Sequence, residues 1–214
     1  MPAGPLIDAL VGAEGLTAAG QRYLATEWLE GENLSERLRR EPMSVAEVAD
    51  MGVALARALD VAHQHGLLYL DLYPGSVFLP AFRAARAKLL AHAPVRARDP
   101  VRDLTRGAAA LVTSGYVAPE LVLGESYRVG PRTDVFALGC VLYEALTGAA
   151  AFAGADAREV VRRILFVDPV PVAARAPDIP AALARLVDAM LAKEPDDRPG
   201  SAEQIARELA AIHG

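Results

Sequence analysis

Leu67-Leu68-Tyr69-Leu70-Asp71-Leu72-Tyr73-Pro74-Gly75-Ser76-Val77-Phe78-Leu79 is the stretch on which the reading of this chain turns. One carboxylate, Asp71, stands in an otherwise apolar and aromatic run. A Pro-Gly turn signal follows it, and then a short β-type run, Val77-Phe78-Leu79. Residues 67–90 therefore read as loop and short strands, with Ala87 to Leu90 a second strand candidate.

The flanks show more regular patterns. Before the stretch, Ser44 with Glu47 three residues on is a capping-box signature. Val45, Val48, Gly52, Leu55, Leu59 and Ala62 follow at helical spacing, which predicts a long one-sided helix stopping at Gly66. Earlier still, Leu6 to Leu16 and Tyr23 to Leu29 read as two strands of a hairpin around the turn residues 17–21. After it, residues 91–117 carry no sustained period and read as a long surface loop. Thr133 to Thr147 is apolar on all sides, the mark of a helix at the centre of a domain. Leu183, Leu186, Val187, Met190 and Leu191 form one later amphipathic stripe. Ile205, Leu209 and Ile212 form another, behind Ser201 with Gln204 as its capping-box partner. Three peripheral helices are expected after the central one.

Bulk properties narrow the class. The 214 residues are 53% hydrophobic and 23% charged, enough for a full core. A net charge of −5 gives no electrostatic footprint for nucleic acid or an anionic membrane. The single Cys140 excludes an internal disulfide and suits a reducing cytoplasm. No apolar run is long enough to span a bilayer, and Met1 to Pro5 lacks a signal-peptide pattern. The expectation is a soluble cytoplasmic protein.

The order of elements, the quoted stretch and four further motifs carry a resemblance. The quoted stretch is similar to the H-R-D-L-x-x-x-N catalytic loop of protein kinases. Tyr23 to Leu34 resembles the last small-lobe strand and the hinge, and Ala118-Pro119-Glu120 matches the A-P-E motif. Asp134-Val135-Phe136-Ala137-Leu138-Gly139 resembles the start of the family's central helix, and Asp196-Asp197-Arg198-Pro199 a late motif. From about residue 6 onward the chain looks like a bacterial Ser/Thr protein kinase of the eukaryotic-like family.

That resemblance implies an α+β, mainly α, fold: a kinase-like large lobe over 33–214, preceded by a residual small-lobe hairpin and hinge over 1–32. It implies structural work for three residues. Glu120 and Arg198 would pair, and Asp134 would hydrogen-bond the backbone of the catalytic loop. It also makes Asp71 the family's proton acceptor.

Against the same pattern, the machinery for ATP is depleted. His, Arg and Asn of the loop are Tyr69, Leu70 and Ser76, and the usual lysine is Tyr73. Ala91-His92-Ala93 stands where D-F-G belongs, so Ala91 replaces a magnesium-binding carboxylate. Lys88 and Lys193 are the only lysines, and neither position fits the phosphate-gripping residue. Residues 1–20 contain no G-x-G-x-x-G spacing. Phosphoryl transfer depends on positioning and charge stabilisation, and one lost stabilising group typically costs about 2.7–4 kcal/mol. His92, Asp99 and Asp103 are candidates for a substitute metal site, although a loop histidine is more often solvent-facing. Thr105, Thr113 and Ser114 are candidate phosphorylation sites, but Leu70 removes the arginine that would receive the phosphate.

The expectation is a catalytically inactive, protein-binding module with no metal and no cofactor. Asp71 then serves as a loop-ordering carboxylate. The substrate groove and the top of the lobe are its candidate surfaces, and the two-stranded hairpin, marginal by itself, invites a partner strand or a second copy. The alternatives are a Ser/Thr kinase using ATP and Mg in an unusual way, and a truncated kinase remnant.

Overall fold

The computed structural model describes residues 11–16, 22–26, 28–90, 95–96 and 115–213. Strands β1 (Val11–Leu16) and β2 (Arg22–Thr26) pair antiparallel, with an irregularity between Val11 and Ala13. The hairpin is thus where the sequence places it. Its second strand stops at Thr26, and Trp28 stands 90% exposed rather than extending it.

The chain then enters β3 (Gly31–Asn33) and, directly after it, α1 (Leu34–Arg40). This short helix escaped the sequence reading, although its signal is a plain one. Asn33 and Glu36 form a capping box: the Glu36 N–H donates to Asn33 Oδ1 at 2.9 Å and the Asn33 N–H donates to Glu36 Oε2 at 3.1 Å. The long helix α2 (Val45–Gln64) opens with the expected box between Ser44 and Glu47. It buries Val48, Met51, Leu55 and Leu59, and ends before Gly66, a left-handed glycine.

Three short strands follow: β4 (Leu67–Leu68), β5 (Val77–Pro80) and β6 (Lys88–Leu89). Strands β3, β5 and β6 form one antiparallel sheet in that order. Between β5 and β6, Ala81 and Phe82 adopt left-handed backbone at φ 50° and 59°. That conformation costs an L-residue roughly 1–2 kcal/mol, and it is a true outlier for a bulky side chain. Part of the expected long loop is ordered otherwise. Val95–Arg96 forms β7 against β4, and Gly115 and Val117 are buried rather than on the surface.

Helices α3 (Pro119–Val122) and α4 (Pro131–Thr147) come next. As its composition predicts, α4 is buried on every side, with Val135, Phe136, Leu138, Val141, Leu142 and Tyr143 at 0% exposure. Gly139 permits a close crossing. A Cβ there would fall 2.8 Å from the Cβ of Met190 on α7 (Ala181–Met190). The peripheral set is α5 (Ala157–Phe166), the single turn α6 (Val172–Arg175), α7 and α8 (Ala202–His213), one element more than expected. At the start of α8 only half of the expected box exists. The Gln204 N–H donates to Ser201 Oγ, but the Gln204 side chain accepts from the Gly200 N–H instead of returning to Ser201. Helix α2 packs against α8 and α4, closing the core. No described helix is long and apolar enough to cross a membrane.

Candidate functional site

The loop from Tyr69 to Ser76 is organised by Asp134, which sits in the first turn of α4 with 0% exposure. Its Oδ2 accepts the Tyr69 N–H at 2.9 Å, and its Oδ1 accepts the Leu70 N–H at 2.7 Å. His63 Nε2 lies 2.8 Å from the same Oδ2. A buried carboxylate needs such partners, and here they come from backbone and one imidazole. The hold is strong enough to keep Leu70 at φ 58°, a left-handed state that a leucine does not adopt freely. Asp71 follows at the half-buried tip.

Beyond Asp71 the loop closes on itself. Ser76 is fully buried; its Oγ accepts the Tyr73 N–H at 3.1 Å and donates to the Tyr73 carbonyl at 2.9 Å. A hydroxyl has one proton and two lone pairs, so this one group of Tyr73 takes the proton and one lone pair. The Tyr73 ring folds over Gly75, where a Cβ would meet Tyr73 Cε2 at 2.5 Å. The Ser76 carbonyl accepts the Leu90 N–H at 2.8 Å, and the Tyr69 hydroxyl donates to the Leu90 carbonyl at 2.6 Å. Burial pushes the Tyr69 phenol far up from its ordinary range, so it stays a proton donor. The end of β6 is thereby clamped from two sides immediately before Ala91.

These residues do not fit a nucleotide-bound magnesium ion. Such an ion wants several oxygen donors in octahedral array. The Ser76 hydroxyl is already used within the loop, and Ala91 has no donor atom in its side chain. The lysines offer no replacement for a phosphate grip. Lys193 donates from Nζ to the Arg163 carbonyl at 3.0 Å and lies 4.0 Å over the Phe152 ring. Burial lowers its pKa to about 8. Lys88 belongs to β6, beside the clamp. Ala91, His92, Asp99, Asp103, Thr105, Thr113 and Ser114 lie outside the described residues. Among the described residues no cluster of His, Cys, Asp and Glu could hold a metal ion.

A second constellation lies beneath the loop. Arg198 is completely buried and uses all five of its N–H groups. Nη1 and Nη2 donate to the two Glu120 oxygens at 2.8 and 2.9 Å, and the rest reach the carbonyls of Ala192, Lys193 and Arg132. Its guanidinium lies 4.9 Å over the Phe136 ring. Thr133 Oγ1 donates to Glu120 Oε1 at 2.8 Å and accepts the Gly130 N–H, so one threonine ties α3 to the start of α4. The Tyr116 hydroxyl bonds to Glu144 of α4, and burial raises that phenol's pKa as well.

His63, Thr133 and Glu144 escaped the sequence reading. His63 could have been found, because it lies four residues beyond Leu59 on the buried stripe of α2. A histidine there needs a buried partner. Thr133 and Glu144 gave no such signal.

The helical body around a central buried helix, with a loop tied to that helix by Asp134 and a Glu–Arg pair beneath, defines the large lobe of a protein kinase. The protein kinase domain family model matches residues 13–209, and the chain belongs to that family. Among its relatives are bacterial Ser/Thr kinases. The serine/threonine-protein kinase PknB of Mycobacterium tuberculosis is 32% identical over 202 residues, covering 94% of this chain and 32% of that protein. PknJ of the same organism is 34% identical over 198 residues, covering 90% and 33%. The crystal structure of the M. tuberculosis PknI kinase domain superposes with a TM-score of 0.69 at 26% identity, over 95% of this chain and 71% of that one. The chain spans about a third of the length of the curated relatives it matches.

Proposed function

We propose that this chain is a kinase-like domain that transfers no phosphate and acts by binding protein. The observation that carries the reading is the loop at Tyr73–Ser76. The Ser76 hydroxyl spends its proton and one lone pair on the Tyr73 backbone, and the Tyr73 ring lies over Gly75. Asp71 is left without an electrophile to work on, and a proton acceptor contributes to catalysis only when the reacting groups are held beside it. Losses of single stabilising groups cost about 2.7–4 kcal/mol each. Several together, even without simple additivity, leave no useful rate. The retained residues point the other way: Asp134, Glu120 and Arg198 keep the lobe rigid, and a rigid lobe is what a docking surface needs.

The test is a titration with Mg·ATP followed by thermal unfolding. The expected result is an unchanged Tm at millimolar nucleotide. A saturable rise would overturn the reading, since a ligand that binds only the folded state stabilises it.

A further inference from the structure

The turn after β5 is unusual in two independent ways. Phe82, at the second of two consecutive left-handed residues, is 62% exposed. A glycine or asparagine would take that backbone without strain, and a largely exposed aromatic ring gains little from the fold. Secondly, the exposed residues Arg83 and Arg86 make no side-chain hydrogen bond or ion pair among the described residues. Trp28 lies at the same end of the sheet, because β3 and β5 run side by side as far as the Ala81 N–H, which donates to the Glu30 carbonyl at 2.8 Å. Trp28 is 90% exposed and is the only tryptophan of the chain.

From this we infer that the end of the β3–β5 pair is a docking surface for an acidic protein segment that carries an apolar side chain. Strained backbone that holds a side chain against its own preference marks a site where that side chain is used. Trp and Arg dominate binding hot spots because each combines large contact area with directional polar groups. The charge argues for the sign of the partner. The turn residues 81–86 hold the exposed Arg83 and Arg86 and no acid, on a chain whose net charge is −5. Exposed Glu30 is the acidic neighbour and sets the far edge of the basic region. The platform is firm, since the turn Ala84–Arg86 packs on α2 with Ala84 and Ala87 buried. An anionic bilayer suits the surface less well, because it would meet so few cations on an acidic body. This surface stands whether or not the chain transfers phosphate.

The experiment uses the full chain and a displayed library of random dodecapeptides, with counter-selection on the R83E/R86E variant. The expected winners are acidic and carry an apolar residue. A synthetic winner should shift Trp28 emission to the blue, and the shift should weaken as salt is raised. Phe82→Ala and R83E/R86E should each lower affinity at least tenfold. Phe82→Gly should also bind at least tenfold more weakly while its Tm stays level or rises, which separates lost contact from lost fold. Failure to enrich acidic peptides would overturn the inference, as would binding indifferent to Phe82, Arg83 and Arg86 or without change at Trp28. Phe82-dependent co-sedimentation with phosphatidylserine vesicles, with no peptide binding, would overturn it in favour of a lipid surface.

Discussion

Replacing Glu120 by alanine should be among the most damaging single changes in the large lobe. Arg198 is 0% exposed at its side chain and Glu120 1%, and they share two hydrogen bonds of 2.8 and 2.9 Å. The other three guanidinium N–H groups are held by carbonyls. Glu120→Ala therefore strands a buried cation with two unanswered donors, and removes the acceptor of Thr133 as well. Breaking such a pair costs about 3–5 kcal/mol. At roughly 2–4 °C per kcal/mol for a domain of this size, Tm falls by about 10 °C. Glu120→Leu combined with Arg198→Met leaves no stranded charge, so its loss should be no greater than that of Glu120→Ala. It does not return to zero, because the carbonyls of Ala192, Lys193 and Arg132 lose their donors. Urea unfolding followed by circular dichroism at 222 nm measures the wild type, Glu120→Ala, Glu120→Leu, Arg198→Met and the double variant. A single-variant loss below about 1 kcal/mol, or a double variant whose loss equals the sum of its two singles, would refute the reasoning.

Three further outcomes follow from other contacts. Gly139→Ala should lower stability by about 1–3 kcal/mol, because its new methyl meets the Met190 Cβ at 2.8 Å and outweighs the gain in helix propensity; the same urea titration measures it. Ser76→Ala should cost about 1–3 kcal/mol, since it leaves the half-buried Tyr73 N–H without its Oγ acceptor and removes one of two donors to the Tyr73 carbonyl. Lys193 provides a pH test. Its folded pKa, near 8, is below the unfolded value of about 10.5, so between those values the unfolded chain binds more protons and stability rises with pH. Tm measured against Lys193→Met from pH 7 to 10 should move in favour of the wild type as pH rises, and a flat difference would contradict the assignment.

Much of this lobe was legible from residue order. The buried α4 announced itself because no polar stripe interrupts Val135 to Leu146, and α2 because Ser44, Glu47 and a regular apolar spacing agree. The motifs around them mark Asp134, Glu120 and Arg198 in the sequence itself. Other features left a fainter trace or none. Helix α1 was overlooked because a seven-residue segment with three arginines, Leu34–Arg40, offers little periodicity, although its Asn33–Glu36 box marks the start. The half-made box at Ser201 shows the limit of pairwise signatures: Gln204 had a second N–H, that of Gly200, within reach. Reading residues 91–117 as surface failed at its end, since Gly115 and Val117 are buried. Substitutions at Tyr69, Tyr73 and Ser76 could be read as losses. That they bond to one another and to the end of β6 required the fold.

Transfer of radiolabelled phosphate from Mg·ATP to a general protein acceptor and to the chain itself, compared between wild type and Asp71→Asn, tests the central claim most directly. The account predicts no label above background in either protein. Incorporation by the wild type that disappears in Asp71→Asn would contradict it.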